Sequence, residues 1–328
     1  MFEVQDYYFP PWTAHQVIAK ETYSESTSII TVEMRPQGPW NDTRIKNHAS
    51  SLQSAHKSGV WNLQVSDYTK MFPNLCGSVT LCAPLPPVEG QDHATIRFLV
   101  HRGDDDDPSA AAVHKKASQQ GASINTSRGY EVIIPENMKQ VVLFANGWKG
   151  IAPMLQITYT LLQARADGVT KSRRPEIHVI WTKEKTGTGD EIDPFLKQAA
   201  PAETSLVDTI ALSELEKLRL LHSDKLFIET VDPGSESLQS LNFLESTDGQ
   251  IKPPTILQRL LAMMRLEIVV KNHNSNRLVV ISGASDFSRS LNGIKLEENL
   301  VADRPSIIDK AEQAGWRIMD LSKRKVWH

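Results

Sequence analysis

The chain changes rhythm near Pro135, and that change limits what it can fold into. Before it, β-prone runs at residues 13–20, 28–34, 60–65, 95–101 and 130–134 are separated by turn-rich stretches, with few segments of helical periodicity. Short strands spaced this way predict a small antiparallel barrel or sandwich. After it the order becomes strand, turn, helix. QVVLFA leads through NGWKG into IAPMLQITYTLLQAR, whose apolar residues recur at helical spacing. IHVIWT, DKLFIETVD and RLVVISG read as further buried strands, and SIIDKAEQAGWRIMDL as a helix and a short strand. Helices are also expected from residue 193 and over 254–266. Buried runs alternating with helices imply a parallel sheet.

The 328 residues are long enough for two cores at ~150 residues per domain. The expected domains are 1–135 and 136–328. Polar residues 37–59 read as a long surface loop, and 103–109, with the acidic run Asp104 to Asp107, as a solvated loop tip.

Composition removes several functions. A net charge of -3 gives no long-range field for phosphate backbones, which argues against nucleic acid as a partner. Cys76 and Cys82 cannot form a disulfide framework, and no Cys/His spacing suits zinc. No apolar run approaches the ~18 residues that span a bilayer, so no transmembrane segment is expected. The first twenty residues contain Glu3 and Asp6 and no Arg, unlike a transit or signal peptide. The histidines His15, His48, His56, His222 and His273 read as surface or satisfied residues. Trp12, Trp40, Trp61, Trp181 and Trp316 read as core aromatics, and LLAMMRL as a buried helix face.

Chemistry concentrates in NGWKGIAPMLQ. A glycine-containing turn between strand and helix sets backbone N–H groups and a helix N-terminus against an anionic phosphate. Gly147 and Gly150 suit the turn, and Pro153 the first turn of the helix. The segment is neither a Walker loop nor a G-x-G-x-x-G fingerprint.

NGWKGIAPMLQ resembles the GGTGIAPMLQ loop of the ferredoxin-NADP reductase-like flavoproteins. GVWNLQV followed by APLPP is similar to their strand and R-x-Y-T-P-L-P-P flavin motif, and IHVIWTK and VVISGASDF are similar to two strands of their nucleotide domain. Within that family the chain is similar to fungal mitochondrial FAD/NADH oxidoreductases of the cytochrome c import factor type, on residues 83–87 and 315–319. The resemblance implies an N-terminal FAD-binding antiparallel β-barrel and a C-terminal α/β Rossmann-like domain. It implies FAD and NADH or NADPH as cofactors, an electron acceptor that is a protein or a small molecule, and a mitochondrial location. A cytoplasmic location follows if the lack of a presequence is genuine.

In this register the family's flavin positions fall on Thr80, Leu81, Cys82, Ala83 and Pro84, with Leu99, His101 and Ser109 following. Thr80 has no charge for the pyrophosphate, Cys82 no stacking face, and Ala83 no hydroxyl for flavin N5. The nicotinamide positions are Gly147, Trp148, Lys149, Gly150, Ile151 and Pro153, then Thr182 and Lys183, then Ser282 and Gly283. Trp148 and Lys149 replace small residues; Lys149 offers a cation, and Ser282 reads as a cofactor contact or a strand-end cap. The resemblance implies hydride transfer from nicotinamide to flavin, and the departures within it raise the alternative of a flavin-free, non-catalytic scaffold or interaction protein.

Overall fold

The computed structural model describes residues 13–23, 27–34, 41–66, 80–87, 95–101, 108–119, 121–165, 174–182, 202–231, 276–283, 287–288, 291 and 307–322. The first part is a closed antiparallel barrel of β1 (Thr13–Thr22), β2 (Thr27–Met34), β3 (Gly59–Ser66), β4 (Thr80–Leu85), β5 (Thr95–His101) and β6 (Ser123–Ile133). Its order is β1-β2-β5-β4-β3-β6, and β6 pairs with β1 to close it.

Alternation along each strand divides the side chains between two cores. Ile30 and Val32, Trp61, Leu63 and Val65, Cys82, and Ile96, Phe98 and Val100 fill the barrel interior. Their neighbours Ile29, Val60, Leu85 and Leu99 point out into a second core shared with the C-terminal part.

One helix lies where a loop was expected, and another begins at the end of a second expected loop. α1 (Asn41–Ser58) replaces the predicted loop over 37–59. Its apolar stripe is narrow: Leu52 and Ala55 reach the barrel core, and the remaining surface carries Asn, Ser, Lys and His. So polar a segment looks like loop until the barrel surface that receives the stripe is known. On its neighbouring turn His48 meets His15 of β1, Nε2 to Nε2 at 2.9 Å. α2 (Pro108–Lys116) begins at the edge of the second predicted loop, with Pro at the first helical position. Ala110, Val113 and Ala117 from this segment enter the barrel core. Residues 102–107 lie outside the described set, as do those of the helices expected from 193 and over 254–266.

The C-terminal part is a parallel five-stranded sheet in the order β11-β10-β7-β8-β9. Its strands are β7 (Gln140–Asn146), β8 (Glu176–Thr182), β9 (Leu226–Val231), β10 (Arg277–Ser282) and β11 (Arg317–Asp320). Val141, Leu143 and Ala145 face the core shared with the barrel, together with α3 (Gly147–Tyr159) and α4 (Ala202–Leu221). Val142 and Phe144 face the opposite core, with α5 (Ile307–Gln313) and Trp316. Strands β7, β8 and β10, covered on both faces, show the α/β layering expected from the uninterrupted apolar runs, whereas the edge strand β9, also expected to be buried, leaves Phe227, Glu229 and Thr230 exposed. Among the described residues no helix is long and apolar enough to cross a membrane.

Candidate functional site

The sheet's connections diverge between β7 and β10. From β7 the chain passes through α3 to β8 on one side, and from β10 through α5 to β11 on the other. The C-terminal ends of two such strands form the crevice where open α/β sheets bind ligands. Here Ala145 pairs with Ser282, and Asn146 pairs with Thr182 on the other flank.

The turn into α3 is tighter than the sequence implies. A loop was expected before a helix with Pro153 in its first turn, whereas α3 begins at Gly147 and holds Pro153 within its body. Gly147, at φ +58°, turns the chain in a single residue, a conformation that glycine adopts without strain. Asn146 precedes the helix in extended conformation and gives it no side-chain cap. Its amide turns away, donating to the Thr182 hydroxyl at 3.0 Å and the Thr182 carbonyl at 3.4 Å. Thr182 in turn donates to the Ala145 carbonyl at 3.2 Å. The first N–H groups of α3 are thus left without an acceptor from Asn146 at the positive end of the helix dipole.

Backbones converge at this point. A β-carbon on Gly150 would lie 2.7 Å from the Ser282 carbonyl oxygen, and one on Gly283 2.8 Å from Cβ of Asn146. Glycine at both positions lets the start of α3, the end of β7 and the end of β10 come together, as helix–strand packing under a dinucleotide requires. Ser282, Ile151 and Thr182 are buried here. Trp148 and Lys149 occupy the first turn of α3, their side chains outside the described set, and Lys183 lies outside it altogether.

The flavin positions gather on neighbouring barrel strands. Thr80, Leu81, Cys82, Ala83 and Pro84 lie on β4, with Leu99 and His101 on β5; Ala83 pairs with Leu99. Ser109 is in the first turn of α2. The side chains of Thr80, His101 and Ser109 are outside the described set. A flavin ring requires an open face to stack on and a donor at N5, and positions 82 and 83 supply neither. Cys82 is 3% exposed and turned into the barrel interior beside Leu63. Ala83 is 1% exposed on a strand against which α3 packs. These two residues do not fit the ring.

Polar contacts between the two parts escaped the sequence reading. Gln156 of α3 bonds to β3 and β4, and Thr160 donates to the His56 carbonyl at 2.8 Å. Arg165, just past the π-helical turn Thr160–Ala164, donates to the carbonyls of Lys57, Ser58, Ile134 and Pro135. Arg97 of β5 meets Glu214 of α4 at 3.4 Å and donates to the Pro86 carbonyl at 3.2 Å. Only Gln156 carries a sequence signal, as the last letter of IAPMLQ; the others join residues too far apart in sequence for any local pattern to pair them.

No family model matches the chain, and no curated protein does. Among solved structures, full-length CYP116B46 from Tepidiphilus thermophilus is similar at 12% identity over 94% of this chain and 28% of that one, with a TM-score of 0.48. Flavohemoglobin from Malassezia yamatoensis, solved with bound FAD and heme, is similar at 10% identity over 94% of this chain and 60% of that one, TM-score 0.46. Ferredoxin-NADP+ reductase from Plasmodium falciparum is similar at 10% identity over 98% of each chain, TM-score 0.44. This chain spans less than two thirds of the first two. The narrower likeness to fungal mitochondrial FAD/NADH proteins has no counterpart among curated proteins.

Proposed function

We propose that this chain is an NAD(P)H-linked oxidoreductase that lays a nicotinamide dinucleotide across the C-terminal ends of β7 and β10. The observation that carries this reading is the divergence of the sheet at those strands, with the uncapped N-terminus of α3 set in it. Backbone N–H groups at the start of α3 hold the pyrophosphate, and Gly283 lets the end of β10 approach Asn146 beneath it. Ser282 stands at the nicotinamide end. When bound, the nicotinamide supplies the hydride; the protein fixes its direction and keeps water from it. The acceptor is a protein or a small molecule.

A second reading, a flavin-free interaction protein, is favoured by one observation: Cys82 and Ala83 are both buried in protein. Visible absorbance for flavin, with calorimetry for dinucleotide binding, separates the two. The purified chain is incubated with FAD, freed of excess, and titrated anaerobically with NADH and then NADPH. Flavin bands near 1:1 that bleach with dinucleotide support the oxidoreductase, with the ring held by residues other than 82 and 83. A colourless chain that still binds dinucleotide keeps the site at α3 and removes flavin from the account. A colourless chain that binds neither dinucleotide, yet unfolds cooperatively, favours the interaction protein.

A further inference from the structure

The barrel does not close its β3–β4 seam by itself. The two strands pair at Leu63 with Cys82, Gln64 with Leu81 and Val65 with Thr80. Two residues further on, the same antiparallel register sets Trp61 opposite Pro84. Pro84 has no N–H to give, so the one backbone bond open to this pair runs from the Trp61 N–H to the Pro84 carbonyl. A side chain from the other domain stands between them. The Trp61 N–H donates to Oε1 of Gln156 at 3.0 Å, and Nε2 of Gln156 donates to the Pro84 carbonyl at 2.9 Å.

A primary amide carries an acceptor and a donor side by side, as a peptide group does, so it can replace one rung of a ladder. Its orientation is forced, since a flipped amide would set NH2 against N–H and oxygen against oxygen. Gln156 is 2% exposed, so neither bond is shared with solvent. Along α3, Gln156 lies about 14 Å from Gly147 at 1.5 Å per residue, on one continuous helix.

We infer that Gln156 is a positioning residue: it is the missing rung of the β3–β4 seam, and it makes β4 and α3 one mechanical unit, so that a dinucleotide seated at the start of α3 also steadies β4. Only the last clause rests on the reading of that helix start as the dinucleotide site. Sequence places Gln156 in the segment most like a nucleotide-binding loop, yet its side chain serves the barrel.

Two variants test this in the full chain. Gln156→Met keeps length and removes both bonds. The Trp61 amide is expected to exchange with deuterium more than tenfold faster than in the wild type; unchanged protection overturns the inference. Gln156→Glu guards against a variant that merely unfolds. Its carboxylate, when ionised, accepts from the Trp61 N–H but faces the Pro84 carbonyl with like charge, whereas the neutral acid donates to that carbonyl. Burial raises the folded pKa of such a carboxyl, so the neutral form is favoured as pH falls. The Tm deficit of this variant relative to wild type should therefore shrink from pH 8 to pH 5, and a deficit independent of pH overturns the rung. For the coupling, NADH should slow Trp61 exchange at least threefold in the wild type and leave Gln156→Met unchanged. Equal protection of both by NADH overturns the coupling. Failure of both NADH and NADPH to bind the wild type overturns the coupling together with the functional reading, while the exchange and pH results still decide the rung.

Discussion

His15 is fully buried, and its neighbours fix its proton. Nδ1 lies 3.0 Å from the Thr13 carbonyl and 3.1 Å from the Thr126 hydroxyl, so Nδ1–H donates to the carbonyl and Nε2 accepts from His48. Burial, then the neighbouring His48, lowers the His15 pKa from 6.5 to about 4. Below pH 6.5 the unfolded chain takes up a proton that the folded one refuses, so stability is whole above that pH and declines toward pH 4, by roughly 3 kcal/mol. Thermal melts at pH 7 and pH 4.5 should show this loss in the wild type and a smaller one in His15→Gln. Arg165 is the other residue whose surroundings dictate a result. Arg165→Ala removes a buried donor from carbonyls at the end of α1, where Ser58 keeps the Ile134 N–H, and in the link between β6 and β7, and should cost about 2–4 kcal/mol in denaturant titration. Neither residue announced itself in the sequence. His15 and His48 are 33 residues apart, and at that distance only the folded barrel reveals a pair.

At the scale of elements, long apolar runs were legible and polar helices were not. β2, β3, β5, β7, β8, β9, β10 and the α5–β11 unit follow from runs whose alternation or continuity has one physical solution. α1 does not, because a helix that buries only a narrow stripe has almost the composition of a loop. Its docking still rests on that stripe. Leu52 is 7% exposed and belongs to the barrel core, so Leu52→Ala should lower stability by about 2–4 kcal/mol; a change under half a kilocalorie in urea titration would mean that α1 is not packed on the barrel. The start of α3 departs from expectation for another reason. Two glycines suggest a loop, but Gly147 makes the turn alone, and Gly150 serves the close approach to Ser282.

Across the whole molecule the two parts share one core. Ile29, Val60, Leu85 and Leu99 of the barrel pack in the same cluster as Val141, Leu143, Met154 and Leu155. Buried polar bonds through Gln156, Arg165 and the Arg97–Glu214 pair cross the same junction. Removing one partner of a buried ion pair strands the other, so Arg97→Met should cost about 3 kcal/mol, softened by the Lys217 ammonium 2.7 Å from Glu214. The barrel and the parallel sheet were both legible in the change of rhythm near Pro135, and the resemblance located the candidate dinucleotide site. What sequence could not give was the direction of the β4 side chains. Position 82 was aligned to a flavin, and alternation with Leu63 and Phe98 turns it inward. If a nicotinamide dinucleotide binds where β7 and β10 diverge, calorimetric titration of the purified chain with NADH and NADPH gives saturable binding of at least one of them at one site per chain; a chain that unfolds cooperatively yet binds neither has no such site.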